Sequence, residues 1–413
     1  MNPTSTNDGR TPASFRRALI LGATGMIGAH AARACLERGI VVRALIRSPA
    51  ARASAARRTG FGVSPPAAGG RALLEEIASA VSPSGAAAAP SKTGGDLHAK
   101  SAAASRQQVL AFDGGRLEFA SGDLADPESL RRALEGCDLA IHAAAAYPRR
   151  HFGKKQFLEE AARGMRNFLQ ASREAARQDL RRVVYVSSST TIGRAAAEAS
   201  APADPVRGPR PATEDDRTRV LDDSPYFAVK FMLEDLAIAA AHDGLPVTIV
   251  NPTLCVDEYD DHRTTARLLI PLAQRRLPAY LAGALNAVPT RDVGEGILLA
   301  ALHGRLGERY ILGGENLSTR DFLARCATIA RVPPPRVALP LPLAEIISLE
   351  TELLAWLTGT TPLFPMSGIR MSKWSQPLSS ERACRELGYS PTSLDQAIAR
   401  AYAWYRTRGW LDA

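Results

Sequence analysis

The most regular hydrophobic pattern of the chain lies near its N-terminus, between residues 18 and 46. Four apolar residues are followed by three glycines spaced three residues apart, a helical pattern over 26–38 and a second apolar run over 40–46. Short apolar runs bounded by turn residues are typical of buried strands, and apolar spacings of three and four residues are typical of helices. The pattern predicts a strand, a glycine turn, a helix and a second strand, which together form one βαβ unit.

The same alternation of strands and helices continues to residue 250. Further strands are predicted over 116–120, 137–143, 182–186 and 247–250, with helices between them over 127–134, 156–177 and 226–242. The first of these helices is preceded by Asp126, a capping residue, with Pro127 at the first helical position. Strands that are apolar throughout and alternate with helices indicate a parallel sheet covered on both faces. The sequence therefore predicts an α/β fold with a doubly wound parallel sheet of the Rossmann type.

From residue 260 onward the pattern becomes mostly helical, with short strands such as 310–312. Helices are predicted over 264–276, 292–303, 318–331, 343–357, 380–387 and 394–408. This predicts a smaller, mostly helical C-terminal lobe that binds substrate. The expected organisation is a disordered lead-in over 1–16, a dinucleotide-binding domain over 17–258 and the substrate lobe over 259–413.

One stretch interrupts the dinucleotide-binding domain. Residues 50–108 are rich in Ala, Ser, Gly and Pro, and only residues 71–81 could form an isolated helix. Such a segment buries too little apolar area to offset its chain entropy, so a largely disordered, low-complexity insertion is predicted.

Charge and cysteine content exclude several classes of function. The 413 residues include 51 basic and 42 acidic side chains, a net charge of +9, but seven basic against three acidic residues lie in the insertion alone, without interleaved aromatic residues. Nucleic-acid binding is therefore not expected. The five cysteines are far apart and odd in number, which predicts buried thiols, no metal site and a reducing compartment.

No membrane-spanning segment is expected either, because no window reaches about 18 apolar residues. We therefore expect a cytoplasmic protein. The apolar stretch 340–359 carries three glutamates and Trp356. It could be a lid over an apolar substrate, a face that touches a membrane, or a helix packed on its own lobe.

The glycine turn predicts a dinucleotide site. Gly22 allows a tight turn after the strand, Gly25 lets the backbone approach a pyrophosphate over the helix N-terminus, and Gly28 lets helix and sheet pack closely. Where the second strand ends, Arg47 could pair with a 2′-phosphate, which an Asp or Glu would not. The expected cofactor is NADP, with NAD as an alternative if Arg47 is only a solvated strand-end residue.

Two further groups carry candidate chemistry. A run of hydroxyl side chains over 187–191 follows a predicted strand, at the edge where open α/β sheets bind ligands. Tyr226 and Lys230 are four residues apart on one face of a predicted helix, where the ammonium favours the phenolate form of the tyrosine. Each signal alone also fits an ordinary turn or helix, but their order after the glycine turn is consistent with one site.

With these motifs the chain resembles the extended short-chain dehydrogenase/reductase family. The motifs are GATGMIG at 22–28, GDL at 122–124, HAAA at 142–145, SSSTTIG at 187–193, YFAVK at 226–230 and NPT at 251–253. VRALIRSP at 42–49 is most similar to the dihydroflavonol reductase and 3β-hydroxysteroid dehydrogenase branch. The C-terminal half is also similar to hopanoid-associated sugar epimerase-like proteins.

The resemblance implies a Ser-Tyr-Lys catalytic set and a cofactor site. Ser188, with Ser187 and Ser189 as alternatives, would hold the substrate oxygen, Tyr226 would transfer the proton and Lys230 would bind the nicotinamide ribose. The implied cofactor-binding residues are Gly22, Thr24, Gly25, Met26, Ile27, Gly28, Arg47, Asp123, Leu124, Ala143, Ala144, Ala145, Lys230, Pro252 and Thr253.

The leading hypothesis is an NADP(H)-dependent oxidoreductase that moves hydride between the nicotinamide and a secondary alcohol or ketone, such as a steroid-, flavonol- or polyketide-like molecule. One alternative is a nucleotide-sugar epimerase or dehydratase that retains NAD(P). Another is a non-catalytic NADP-binding sensor or scaffold. The expected partner is a small-molecule substrate, and the resemblance suggests a homodimer.

Overall fold

The glycine-containing unit near the N-terminus folds as its hydrophobic pattern predicts, with two parallel strands joined by a helix. This is seen in a computed structural model that describes residues 14–47, 70–81, 110–112, 116–145, 153–195, 210–216, 224–358 and 366–412. The strands of the described residues are β1 (Arg17–Leu21), β2 (Val41–Ile46), β3 (Leu110–Phe112), β4 (Leu117–Ser121), β5 (Leu139–His142), β6 (Arg182–Val186), β7 (Val247–Pro252), β8 (Leu254–Val256), β9 (Ala279–Leu281), β10 (Ala284–Pro289), β11 (Arg309–Leu312), β12 (Glu315–Ser318) and β13 (Val337–Leu339).

Twelve α-helices lie in the same described ranges. They are α1 (Met26–Glu37), α2 (Gly70–Val81), α3 (Pro127–Leu134), α4 (Lys154–Ala176), α5 (Pro225–His242), α6 (Ala266–Ala273), α7 (Thr290–His303), α8 (Thr319–Ala330), α9 (Leu341–Thr358), α10 (Met366–Trp374), α11 (Glu381–Leu387) and α12 (Leu394–Thr407). The predicted cap of α3 is confirmed, because the Asp126 side chain accepts hydrogen bonds from the backbone N–H groups of Glu128 and Ser129.

The main sheet has eight strands in the order β11-β7-β6-β5-β1-β2-β4-β3. Seven of them are parallel, and the edge strand β3 runs antiparallel to β4. From β1 the chain builds the sheet first towards β2 and β4 and then, after β5, in the opposite direction. This reversal opens a crevice outside the carboxyl ends of β1 and β5, where open α/β sheets bind ligands.

Helices cover both faces of this sheet, which confirms the doubly wound prediction. On one face α1, α2 and α7 bury side chains such as Cys35, Leu73 and Ile297 in a single apolar cluster. On the other face α3, α4 and α5 bury Leu130 and Phe168 among others in a second cluster. The sheet is therefore the central layer, and its two faces hold most of the core.

Two late elements belong to this sheet rather than to a separate lobe. Strand β11 pairs in parallel with β7, so the prediction that placed residues 310–312 in the substrate lobe was wrong. Helix α7 packs across α1, where the Arg38 guanidinium donates to the Glu295 carboxylate at 2.7 Å. The hydrophobic run of β11 predicted a strand, but a local pattern does not state which distant strand it pairs with. The domain boundary at residue 258 remains a prediction.

The remaining C-terminal elements form smaller units. Strands β12, β10 and β8 make a three-stranded sheet, and β13 pairs with β9. Asp257, directly after β8, is fully buried, and both of its oxygens accept from the Arg400 guanidinium of α12, at 2.8 and 2.9 Å. This ion pair ties the last long helix to the region beside the crevice.

Helix α2 corrects the prediction of a largely disordered insertion. Leu73, Leu74, Ile77 and Ala78 are at most 1% exposed and pack in the core beside α1. Their spacing forms an apolar stripe on one helical face, and that stripe fills the sheet face next to α1. The rest of the predicted insertion lies outside the described residues.

The predicted lead-in is also shorter than expected. Phe15 is buried, with the Arg181 guanidinium 5.1 Å from its ring centroid, and the backbone N–H groups of Arg16 and Arg17 donate to the Asp138 carboxylate. Residues 14–16 are thus part of the folded domain, and 1–13 lie outside the described residues.

The cysteine prediction holds for four residues and is wrong for one. Cys35, Cys137, Cys255 and Cys326 are buried, and burial raises the pKa of each thiol to about 12. Cys384 is exposed. An exposed cysteine on a short helix has no sequence signal that separates it from a buried one.

Helix α9 coincides with the apolar stretch 340–359, for which the sequence allowed three roles. One side of it packs on its own lobe through Ala344 and Ser348, which are buried, whereas Leu343, Ile346 and Leu349 are exposed. Over the described part of the chain, no helix combines the length and the apolar character that crossing a bilayer requires.

Candidate functional site

The glycine turn connects β1 to α1 and packs against the end of β5, at the point where the strand order reverses. Gly22 has a φ of 80°, and a Cβ atom there would stand 2.7 Å from the backbone of Ala144. A Cβ atom on Gly28 would stand 2.1 Å from the Gly22 carbonyl oxygen. Both positions therefore require glycine, which allows the N-terminus of α1 to approach the two strand ends closely.

The N-terminus of α1 is open to an anion. Gly25 is its N-cap residue, with no side-chain capping bond and no acidic residue in the first turn. A Cβ atom on Gly25 would have only the Gly22 carbonyl oxygen within 4 Å, at 3.4 Å. The neighbouring residues of the turn are Thr24 and Ile27, half-buried, and Met26, buried. Unpaired N–H groups and the helix dipole favour a pyrophosphate at such a position.

Other residues that the sequence predicts to bind the cofactor lie along the ends of β2, β4 and β5. Arg47 is exposed directly after β2, and the Gly122 N–H donates to the Ile46 carbonyl, which sets Asp123 and Leu124 beside that strand end. The Asp123 carboxylate accepts from the Ala125 N–H at 2.8 Å. At the end of β5, Ala143 and Ala144 are half-buried and Ala145 is exposed.

The predicted catalytic residues come together at the end of β6. A 3₁₀ turn over Ser189–Thr191 follows Ser188, whose hydroxyl oxygen accepts from the Thr190 N–H at 3.3 Å. Tyr226 and Lys230 are both buried on α5, and the Lys230 Nζ lies 6.0 Å from the Tyr226 ring centroid. The same Nζ donates to the Ser187 carbonyl at 3.4 Å. Lys230 thus links α5 to residues 187–191, which we call the serine turn.

Burial changes the titration of two groups in this cluster. It lowers the pKa of Lys230 to about 8, and the nearby Glu234 carboxylate opposes that change. Burial, with a smaller contribution from the charge of Lys230, lowers the pKa of His142 to about 4. Near neutral pH, Lys230 is therefore charged and His142 is neutral.

Two buried hydroxyl groups point to a ligand in the crevice. Within the described ranges, Ser187 Oγ and Thr253 Oγ1 are buried and have no hydrogen-bond partner. Ser187 follows β6, and Thr253 follows Pro252 at the end of β7, the neighbouring strand. Buried hydroxyls without partners are costly, so a polar ligand beside both would satisfy them. Together with the open turn at Gly25, these residues fit a nicotinamide dinucleotide.

Sequence reasoning missed a group of buried polar residues behind this cluster. They are Thr191, Glu234, Asn251 and Arg309. Thr191 and Asn251 lie in motifs named above without being assigned a role, and Glu234 had a signal because it stands four residues after Lys230 and so shares its helical face. Arg309 comes from β11, whose place in the sheet the sequence did not reveal.

One group in the described parts of the chain has the spacing of metal ligands. His30, Asp257 and Glu258 offer atoms within 4.8 Å of one another. The Asp257 carboxylate is already bound on both oxygens by Arg400, and Glu258 pairs with Arg33 at 3.3 Å. These cations neutralise the acids, so the group is accounted for by packing between α1 and α12.

Comparisons with known proteins agree with this geometry. The sequence model of the NAD dependent epimerase/dehydratase family matches residues 18–313. Sterol demethylase protein B of Methylococcus capsulatus is 31% identical over 396 residues, 95% of this chain and 99% of that protein. The 3beta-hydroxysteroid-dehydrogenase/decarboxylase isoform 2 of Arabidopsis thaliana is 22% identical over 309 residues, 69% of this chain and 51% of that protein.

Solved structures show the same architecture. The crystal structure of gox2253 superposes with a TM-score of 0.68 at 28% identity, over 96% of this chain and 99% of that one. The family match spans far more than half of the chain, and the site has the glycine turn that such a family needs. The chain belongs to the NAD-dependent epimerase/dehydratase family and is an NAD(P)-dependent oxidoreductase of the extended short-chain dehydrogenase/reductase type.

Proposed function

We propose that this protein is an NADP(H)-dependent oxidoreductase that interconverts a secondary alcohol and a ketone on an apolar, sterol-like ring system. The observation that carries the proposal is the buried ammonium of Lys230, one helical turn from Tyr226 and bonded to the Ser187 carbonyl. The names of two relatives, a sterol demethylase protein and a 3beta-hydroxysteroid-dehydrogenase/decarboxylase, favour a sterol-like substrate.

The cofactor would lie across the carboxyl ends of β1 and β5. Its pyrophosphate would rest on the backbone around Gly25, and Arg47 would pair with the 2′-phosphate that distinguishes NADP from NAD. Ala143 and Ala144 are small enough to leave room beside the turn. Pro252 and Thr253 would border the nicotinamide, and the hydroxyl of Thr253 would gain the partner that it lacks.

A bound nicotinamide supplies the hydride or accepts it. The residues of this chain then have separate tasks. The Ser188 hydroxyl binds the substrate oxygen, and the Tyr226 phenol gives that oxygen a proton during reduction or takes one during oxidation. The Lys230 ammonium binds the ribose and favours the phenolate form of Tyr226. Because all three are held by β6 and α5, they need little reorganisation during the reaction.

The catalytic assignment is tested with Tyr226→Phe. We expect NADPH binding to persist and turnover of sterol-like alcohols and ketones to fall by at least about 10³-fold, because the proton donor is lost. Tyr402→Phe is the matched control, since it also removes a buried hydroxyl, one without a partner among the described residues. Full activity of Tyr226→Phe would refute the assignment.

The cofactor assignment is tested with Arg47→Gln. Loss of a guanidinium–phosphate pair should weaken NADPH binding about tenfold and leave NADH binding unchanged, measured by fluorescence titration. Arg177→Gln is the control, because Arg177 is exposed at the C-terminal end of α4, at the opposite edge of the sheet. Tighter binding of NADH than of NADPH by the unmodified protein would contradict the role of Arg47.

The substrate class is tested with panels of sterols, flavonol-like ketones and nucleotide sugars. Net oxidation or reduction of an alicyclic substrate with NADP(H) is expected. Purified protein that retains NAD and converts a nucleotide sugar without net use of NADPH would instead indicate an epimerase or dehydratase.

A homodimer is also part of the proposal. A groove of about 520 Å³ runs along the outer face of α4 and α5, lined by apolar side chains such as Phe231 and Leu236 and by Arg166 and Asp235. A helical face that carries apolar side chains together with both signs of charge can pack against its own copy across a two-fold axis. Light scattering after gel filtration should give twice the chain mass, and Asp235→Arg should give one chain mass.

A further inference from the structure

A buried ion pair lies directly behind the serine turn and belongs to none of the residues assigned above. Glu234 Oε1 is 3.1 Å from Arg309 Nη1, and the side chains are 4% and 10% exposed. Glu234 is on α5, one turn beyond Lys230, and Arg309 is the first residue of β11. Burying two charges is costly unless further hydrogen bonds satisfy them, so the partners of this pair are informative.

Those partners are parts of the serine turn. The Thr191 hydroxyl lies 2.7 Å from both Glu234 Oε2 and the Ser188 carbonyl oxygen, and its single proton is donated to one of these acceptors at a time. Asn251 Nδ2 donates to the same carboxylate oxygen at 2.7 Å and to the Ser188 carbonyl at 3.1 Å. Arg309 Nη1 lies 3.4 Å from the Thr191 carbonyl. The ion pair and its hydrogen-bond partners therefore contact both ends of the turn, at Ser188 and at Thr191.

The pair also affects the charge of Lys230. Glu234 is the acidic neighbour that favours the ammonium form of Lys230. Other titratable or charged groups face Lys230 or Glu234: Tyr226 on the same helix and His142 on β5 are near Lys230, and Tyr185 on β6 and Arg309 on β11 are near Glu234. Of these, Arg309 is the permanent cation, and it pairs directly with the Glu234 carboxylate.

We propose that Glu234 and Arg309 are positioning residues of the catalytic set: through Thr191 and Asn251 they fix the Ser188 turn, and they influence the charge of Lys230 in opposite directions. This inference rests on the proposed function for its catalytic consequence. Glu234 stabilises the ammonium, and Arg309 limits that effect by sharing the carboxylate. The two residues should therefore act on Lys230 in opposite directions.

The first test measures Lys230 without any turnover. The sequence holds six lysines, so ¹³Cε-lysine labelling gives few signals, and Lys230→Arg identifies the one of interest. Glu234→Gln should lower the titration midpoint of Lys230 by about one pH unit, and Arg309→Gln should raise it. Unchanged midpoints, or shifts in the same direction, would overturn the proposal. Arg305→Gln is the control, because it breaks an exposed arginine–glutamate pair near β11 that does not touch the turn.

The second test isolates positioning and remains available if either charge variant fails to fold. Thr191→Val keeps both charges and removes only the hydroxyl between Glu234 and the Ser188 carbonyl. We expect kcat to fall about tenfold, the KM to change less than about twofold and the Lys230 midpoint to stay in place. Thr248→Val is the matched control, since Thr248 is equally buried but its hydroxyl accepts from Arg182.

Full kcat in Thr191→Val would overturn the positioning role. If the protein shows no oxidoreductase activity at all, the proposed function fails, whereas the lysine titration still decides whether Glu234 and Arg309 control Lys230.

Discussion

Lys230 is a charged group that the fold buries, and we expect Lys230→Met to make the protein more stable while it abolishes turnover. Burial lowers the pKa of Lys230 from 10.5 to about 8. Each pH unit of such a shift corresponds to about 1.4 kcal/mol, so at neutral pH the folded state loses about 3 kcal/mol by keeping this ammonium. Methionine has a similar unbranched shape and no charge.

The gain should be smaller than the full penalty. The variant loses the hydrogen bond from Nζ to the Ser187 carbonyl, which contributes about 1 kcal/mol. We therefore expect the free energy of unfolding of Lys230→Met to exceed that of the unmodified protein by about 2 kcal/mol at pH 7.

The pH dependence of this difference identifies its origin. Below pH 8 the lysine is protonated in both the folded and the unfolded state, so the penalty is complete. Between the two pKa values, about 8 and 10.5, the unfolded state binds more protons than the folded state, and the stability of the unmodified protein rises with pH. The advantage of the variant should therefore shrink across this window.

The assay is equilibrium unfolding in urea, with the two proteins compared at pH 7, 8, 9 and 10. Their difference cancels the other groups that titrate in this range. Lys155→Met, an exposed position on α4, is the control and should change stability by less than about 0.5 kcal/mol. A variant that is less stable at pH 7, or a difference that is constant with pH, would refute the reasoning.

Three further outcomes are expected from stability and binding measurements. Leu74→Ala should lower the free energy of unfolding by about 3 kcal/mol because Leu74 is fully buried in α2, whereas Leu343→Ala, at an exposed position, should change it by less than about 0.5 kcal/mol. Asp126→Ala should lower it by about 1 kcal/mol through loss of the α3 cap, with no effect on NADPH binding. Gly28→Ala should weaken NADPH binding more than about tenfold, because the added Cβ meets the Gly22 carbonyl and moves α1 off the turn; unchanged affinity would contradict the close packing.

Local pattern predicted much of the fold. Apolar runs and glycine or proline boundaries gave β1, β2 and β4 to β7 within two or three residues, and the long helices with similar accuracy. The same patterns predicted that Tyr226 and Lys230 share a helical face. These features depend on residues close together in the sequence, and for that reason periodicity and spacing reveal them.

The features that were missed depend on contacts between distant residues. Helix α2 has an ordinary amphipathic stripe, and nothing in its composition shows that α1 and the sheet cover it. Glu234 and Arg309 are 75 positions apart in the chain. Their pairing exists only because β11 lies beside β7, and strand neighbours of this kind are not encoded in the strand's own residues.

The position of β11 has a consequence for how the enzyme is made. Synthesis proceeds from the N-terminus, so the glycine turn and α5 emerge from the ribosome long before Arg309 does. Until that late strand docks beside β7, Glu234 lies in the nascent chain without its guanidinium partner. The core on the α1 face of the sheet, which includes α7, and the Glu234–Arg309 pair are therefore completed only after residues 290–312 have been synthesised.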